Sequence, residues 1–136
     1  MARNGSDDAL RRSSTAVQAV EGLLAYAQTQ RRWGRGAIRS ADRAIAMSRA
    51  LAAEAPEHLP LLARALRTGA RVHLGRRRPA DALPLAEEAV DLARKPGGGL
   101  LLASLRTLAE TYEALQRYGD AAALLSEVDE LLPPPD

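Results

Sequence analysis

Hydrophobic positions recur along this chain every three or four residues, the period of an amphipathic helix. Val17, Val20, Leu23, Leu24 and Ala27 form the first stripe. Thr15, with Gln18 three residues later, precedes most of it in the form of a capping box. The pattern stops at Trp33-Gly34-Arg35-Gly36, which reads as a turn. Ile38, Ala41, Ala44, Ile45 and Met47 predict a second helix over about 37–53, stopped by Pro56. A third is expected from about Glu57–Pro60 to Gly75, with Pro60 in a first turn that lacks no hydrogen bond and Gly75 as the C-terminal stop. The fourth is predicted over about 82–95, with Asp81 as N-cap and Pro84 in the first turn; a start at Pro79 would instead place Pro84 where it must kink the helix. Pro96-Gly97-Gly98-Gly99 is a break. A fifth helix is predicted over about 100–116. The sixth runs from about 121 to 132 after the Gly119-Asp120 turn and N-cap, and is closed by Pro133-Pro134-Pro135. Residues 1–13 are polar without period and read as a disordered arm. That leaves one domain over 14–133 and a short tail, 134–136. No stretch alternates as a strand does, so the expected class is all-α.

The third and fifth helices repeat one another. Leu66-Arg67-Thr68 falls on Leu105-Arg106-Thr107, Ala70 on Ala109, and His73 on Tyr112. Twelve residues beyond each of those alanines stands another, Ala82 and Ala121, and the same step joins Ala25 to Ala37. The second helices then align as Ala37, Ala41 and Ala44 with Ala82, Ala86 and Ala89, and with Ala121, Leu125 and Val128. Alanine where two helices cross lets their axes approach, while Leu and Tyr fill the space between pairs.

In these residues the chain resembles the tetratricopeptide repeat family. The last unit carries the pattern best, with Leu105, Leu108-Ala109 and Tyr112 in its first helix and Tyr118, Ala121, Leu125, Val128 and Pro133 after the turn. The middle unit has Gly69 and His73 in place of a bulky residue and an aromatic; the first has Glu21 and Gln28 at the corresponding places. The units are offset by 45 and 39 residues, against ~34 in the family, which makes them similar to the extended repeats of bacterial regulatory proteins. The resemblance implies a right-handed α-solenoid of three helix-turn-helix hairpins, six helices in all. A generic helical bundle is the alternative. The resemblance further implies a protein-interaction module, an adaptor or regulatory scaffold, that holds a peptide against the concave face of its first helices. Carried over, that groove would be lined by Tyr26 and Gln30, by Arg64, Arg67, Arg71 and Leu74, and by Arg106, Glu110 and Glu113.

Charge sharpens this expectation. The net charge is only +2. Residues 1–80 carry 15 Arg against 6 acids, and residues 81–136 carry 4 basic residues against 11 acids. Arg64, Arg67 and Arg71 share a helix face at i, i+3 and i+7, and arginine's planar fork suits carboxylates. An acidic peptide is therefore the expected guest, unless Arg71 and Arg106 are already paired with Glu110 or Glu113. The Lys and Asn of the family's chaperone-tail clamps are missing from these positions. Leu124, Leu125, Val128, Leu131 and Leu132 exceed what one terminal helix can turn inward. Leu124, Leu131 and Leu132 are thus the expected surface of a second reading, an oligomerisation or sensor module that forms a homo-oligomer or docks on a partner.

The remaining chemistry is thin. There is no Cys for a disulfide, thiolate or metal site. His58 and His73 stand 15 apart without a paired carboxylate, the serines lack a triad setting, and Gly97-Gly98-Gly99 is not followed by the Lys-Ser/Thr of a phosphate loop. No enzyme activity, cofactor or metal is expected. Arg76-Arg77-Arg78 is a basic turn with few aromatics nearby, which leaves nucleic-acid binding through the basic half a distant third reading. No apolar run approaches the ~20 residues a bilayer needs and no leader pattern follows Met1, so the expected setting is the cytoplasm.

Overall fold

A computed structural model of the chain describes residues 5–29 and 34–135. They form six α-helices and no strand: α1 (Gly5–Thr29), α2 (Arg35–Glu54), α3 (Leu59–Gly75), α4 (Pro79–Ala93), α5 (Gly98–Ala114) and α6 (Tyr118–Leu131). A short 3₁₀ turn, Pro56–His58, leads into α3. Each helix packs on the next, and α1 on α3 and α3 on α5 as well. The second helices of successive pairs are joined by long side chains: Arg49 to Glu88 between α2 and α4, and Arg94 to Glu127 between α4 and α6.

Burial repeats as the alignment predicts from α2 to α5, whereas in α6 Leu125, aligned with the buried Ala41 and Ala86, is exposed. Leu62, Leu66, Thr68 and Ala70 of α3 are buried, and so are Leu101, Leu105, Thr107 and Ala109 of α5, 39 residues on. Ala37, Ala41, Ala44 and Ile45 of α2 and Ala82, Ala86, Ala89 and Val90 of α4 are buried at an offset of 45. Leu66 and Leu105 are fully enclosed, each worth roughly 1.5–3 kcal/mol of transfer from water. One core joins Val20, Leu24, Ile45, Leu62 and Leu66; a second joins Ala70, Ala82, Ala86, Val90, Leu105 and Val128. Gly69 has a packing reason: a Cβ there would lie 3.0 Å from Ile45 Cδ1 and 3.2 Å from Leu85 Cδ1.

The first hairpin departs from the register. Ala25 is exposed; the buried stripe of α1 is Val20, Leu24 and Ala27. The twelve-residue step from Ala25 to Ala37 therefore does not hold, because among the described residues the buried stripe of α1 is set by α2 and α3 alone. The arm expected over 1–13 is also corrected, since α1 begins at Gly5. Asp7 and Asp8 lie in its first turn, where carboxylates complement the helix dipole. Thr15 is inside the helix and its Oγ1 donates to Arg11 O at 2.9 Å, so it is no cap. Trp33 lies outside the described residues.

The ends of the later helices obey turn chemistry that composition alone hides. α3 ends at Gly75 as expected, but that glycine is not the left-handed residue: Arg77 takes that conformation (φ 59°), and Gln116 takes it 39 residues later (φ 62°). In both turns the next amide bonds back over the helix end, Arg78 N to His73 O at 2.9 Å and Arg117 N to Tyr112 O at 2.8 Å. These are Schellman closures with a side chain where glycine is usual. Asp81 and Asp120 are not N-caps but first-turn residues, paired with Arg78 and Arg117 at 3.1 and 2.8 Å. α4 starts at Pro79, so Pro84 is its sixth residue and withholds a hydrogen bond from Ala80 O.

Candidate protein-binding face of the first helices

Each of α1, α3 and α5 presents polar residues on a shared side. Arg64 reaches across to Glu21 with two hydrogen bonds, 2.6 and 2.8 Å. Those bonds pull the Glu21 carboxyl below its usual range, against the opposing effect of burial, and raise Arg64. Gln28 donates to Thr68 at 3.3 Å beside them. On the other flank Arg71 lies 3.8 Å from Glu110 of α5. Two of the four arginines expected to await a guest therefore already hold carboxylates of neighbouring helices.

Arg67 is the exception. It is partly buried and its Nε has no hydrogen-bond partner among the described residues. Burial, then Arg71, then Arg64, push its pKa down: folding has made this charge harder to keep. Arg106, its counterpart 39 residues on, is exposed one turn before Glu110, as Arg67 stands one turn before Arg71. The face thus offers Arg67 on α3 and Arg106 at the equivalent position of α5, with the Glu21–Arg64 and Arg71–Glu110 pairs nearby. Such a row can take a carboxylate pair with the spacing of neighbouring helices.

The other expected residues fall elsewhere. Tyr26 lies against Gly36 at the start of α2, where an added Cβ would stand 3.0 Å from the tyrosine hydroxyl. It lines a groove of about 580 Å³ between α1 and α2, together with Ala19, Gly22, Leu23, Arg39, Ser40, Arg43 and Met47. The contribution of α1 to the arginine face is Glu21 and Gln28, which the alignment had assigned to core positions. Leu74 is partly buried against the second core and does not line the face. Glu113 is exposed on α5, and Gln30 lies outside the described residues. At the C-terminal end Leu124 packs on the second core, while Leu125, Leu131 and Leu132 are exposed. Tyr112 packs at the same core with the Arg117 guanidinium 4.5 Å from its ring centre, and burial raises its pKa.

The ladder Arg49–Glu88 and Arg94–Glu127 escaped the sequence reading although its signal was present. Arg49 and Arg94 are 45 apart, Glu88 and Glu127 are 39 apart, and these are the offsets of the repeat itself. Among the described residues no helix is long and apolar enough to cross a membrane, and no cluster of His, Asp and Glu could hold a metal ion.

Compared with protein-family models, with curated proteins and with solved structures, the chain matches none.

Proposed function

We propose that this chain is a protein-interaction module, a right-handed tetratricopeptide-like solenoid that takes an acidic segment of another protein along the concave side of its first helices. The observation that carries this reading is the strained state of Arg67. A partly buried guanidinium with an unpartnered Nε and two arginines one turn away is costly to the folded chain. A guest carboxylate against the outer part of the guanidinium would offset that charge and relieve the repulsion. Arg106 supplies the second contact, and the flanking ion pairs hold both arginines in place. Arg64 and Arg71 shape the site rather than bind the guest, which revises the groove first expected.

A fluorescein-labelled ten-residue peptide of alternating Glu and Leu is a suitable probe, read by anisotropy at low salt. Arg67→Met with Arg106→Met is expected to weaken binding at least about tenfold, the loss of one or two charge-assisted bonds. Equal affinity of the variant and the parent chain would remove the proposal. Arg49→Met, on the outer ladder, is the control that should leave affinity unchanged.

A further inference from the structure

The two ends of the helix stack are unlike each other and fit each other. Within the chain, α4 meets the following hairpin through Ala86, Val90 and Ala93, all buried beside Leu101 and Leu105 of α5. The same register in α6 gives Leu125, Asp129 and Leu132, all exposed: the leucines are 40% and 38% accessible because no helix follows among the described residues. Leu124 and Leu131 correspond to Leu85 and Leu92, which face back toward the first core. The open apolar surface at this end is therefore Leu125, Leu131 and Leu132; of the trio the sequence suggested, only Leu124 packs inward.

At the opposite end lies the groove between α1 and α2. Its α2 wall, Ser40, Arg43 and Met47, stands 45 residues before Leu85, Glu88 and Leu92 of α4. Those residues of α4 are the ones that receive the preceding hairpin, Leu85 and Leu92 in the first core and Glu88 through Arg49. The groove thus stands at the positions of a receiving surface and is open among the described residues.

The charges agree, with their sign reversed. At both internal junctions an Arg on the preceding helix meets a Glu on the following one, Arg49 with Glu88 and Arg94 with Glu127. At the chain's ends the receiving position is Arg43, with Arg39 one turn before it, and the donating position is Pro133, preceded by the exposed acids Asp129 and Glu130. An acidic, leucine-bearing tail faces a basic groove lined by Leu23, Tyr26 and Met47. The inverted polarity lets ends pair with ends and not with internal junctions.

We infer that copies of this chain associate head to tail, the α6 stripe of one copy seated in the α1–α2 groove of the next. The contact is heterologous, so it propagates as an open filament or closes as a ring. It stands independently of the peptide-binding reading.

Sedimentation equilibrium of the full chain, at high concentration and low salt, should give an average mass above the monomer's that falls as salt screens the junction. Arg39→Glu with Arg43→Glu blocks the groove; Leu125→Glu with Leu132→Glu blocks the tail. Each variant alone should weaken association more than about tenfold, and mixing the two should restore a one-to-one dimer that grows no further. A chain carrying Arg39→Glu, Arg43→Glu, Asp129→Arg and Glu130→Arg together should associate again; if the leucine variant loses its helical spectrum, this charge-exchanged chain decides the matter. A monomeric parent chain, or a groove-blocked variant that still self-associates as the parent does, overturns the proposal, the latter by showing a tail-to-tail contact.

Discussion

Replacing Arg67 by Met should make the folded chain more stable while weakening its grip on an acidic guest. The substitution keeps an unbranched, buried stem of similar reach and removes the charge. The structure supplies the terms. The Nε donor is enclosed and unpartnered, a state that costs about 1–3 kcal/mol; partial exposure of Arg67 selects the lower end. Arg64 and Arg71 stand three and four residues away on the same helix, and each like-charge pair of that spacing adds about 0.2–0.5 kcal/mol. The expected gain is therefore about 1.4–2 kcal/mol. For a domain of this size that is a rise in Tm of roughly 5–7 °C. Urea unfolding followed by circular dichroism, at low and at high salt, measures it. The gain should shrink in high salt, because the repulsive part is screened, while the part due to the orphaned donor persists. A variant less stable than the parent would refute the reasoning, since it would mean that the guanidinium makes a favourable contact within the folded chain.

Three further outcomes follow from other parts of the structure. The Glu21 and Glu127 carboxyls are held below their usual range chiefly by hydrogen bonds from Arg64 and Arg94. Their folded pKa lies below the unfolded value of ~4.3, so their contribution is fully present above that pH and is lost as pH falls through the folded value. Thermal unfolding between pH 6 and 3 should show this decline, and Glu21→Gln with Glu127→Gln should flatten it at a cost near neutral pH of about 0.2–1 kcal/mol per pair. Gln116→Gly should stabilise the α5–α6 turn by about 0.5–1 kcal/mol, the relief of a left-handed side-chain residue less glycine's greater freedom when unfolded; an unchanged urea midpoint would count against the Schellman geometry. Ser48 and Ser104 have buried hydroxyls without a partner among the described residues, at positions where the neighbouring units carry Ala93 and Ala65. Ser48→Ala and Ser104→Ala should therefore each raise stability, by about 1 kcal/mol, and a loss on calorimetry would show that the hydroxyls are satisfied.

Much of the helical framework was legible because its cause is local. The spacing of Leu62, Leu66 and Ala70, and of Leu101, Leu105 and Ala109, specifies a stripe that any helix of this sequence must bury. The repeat offsets carry that stripe from unit to unit, and burial in α2 through α5 follows them. Where the local signal was ambiguous, wider context decided. Thr15 looks like a cap, but Asp7, Asp8 and the helix-forming Ala9 and Leu10 start α1 a full ten residues earlier. Gly75 does end α3, but the closing bonds of the turn fall on the two residues after Arg76.

By itself, then, the sequence determined the six helices, the small residues at their crossings, and the uneven charge along the chain. Only the tertiary structure decided which of those charges are spent. Arg64 meets Glu21 across 43 residues and Arg71 meets Glu110 across 39, pairings that no helix period contains. Periodicity fixes the face of a helix on which a residue stands. What stands opposite depends on how neighbouring helices are rotated and shifted, and that is set by the summed packing of the whole stack. The same packing turned Ala25 outward and left Arg67 without a partner for its enclosed nitrogen.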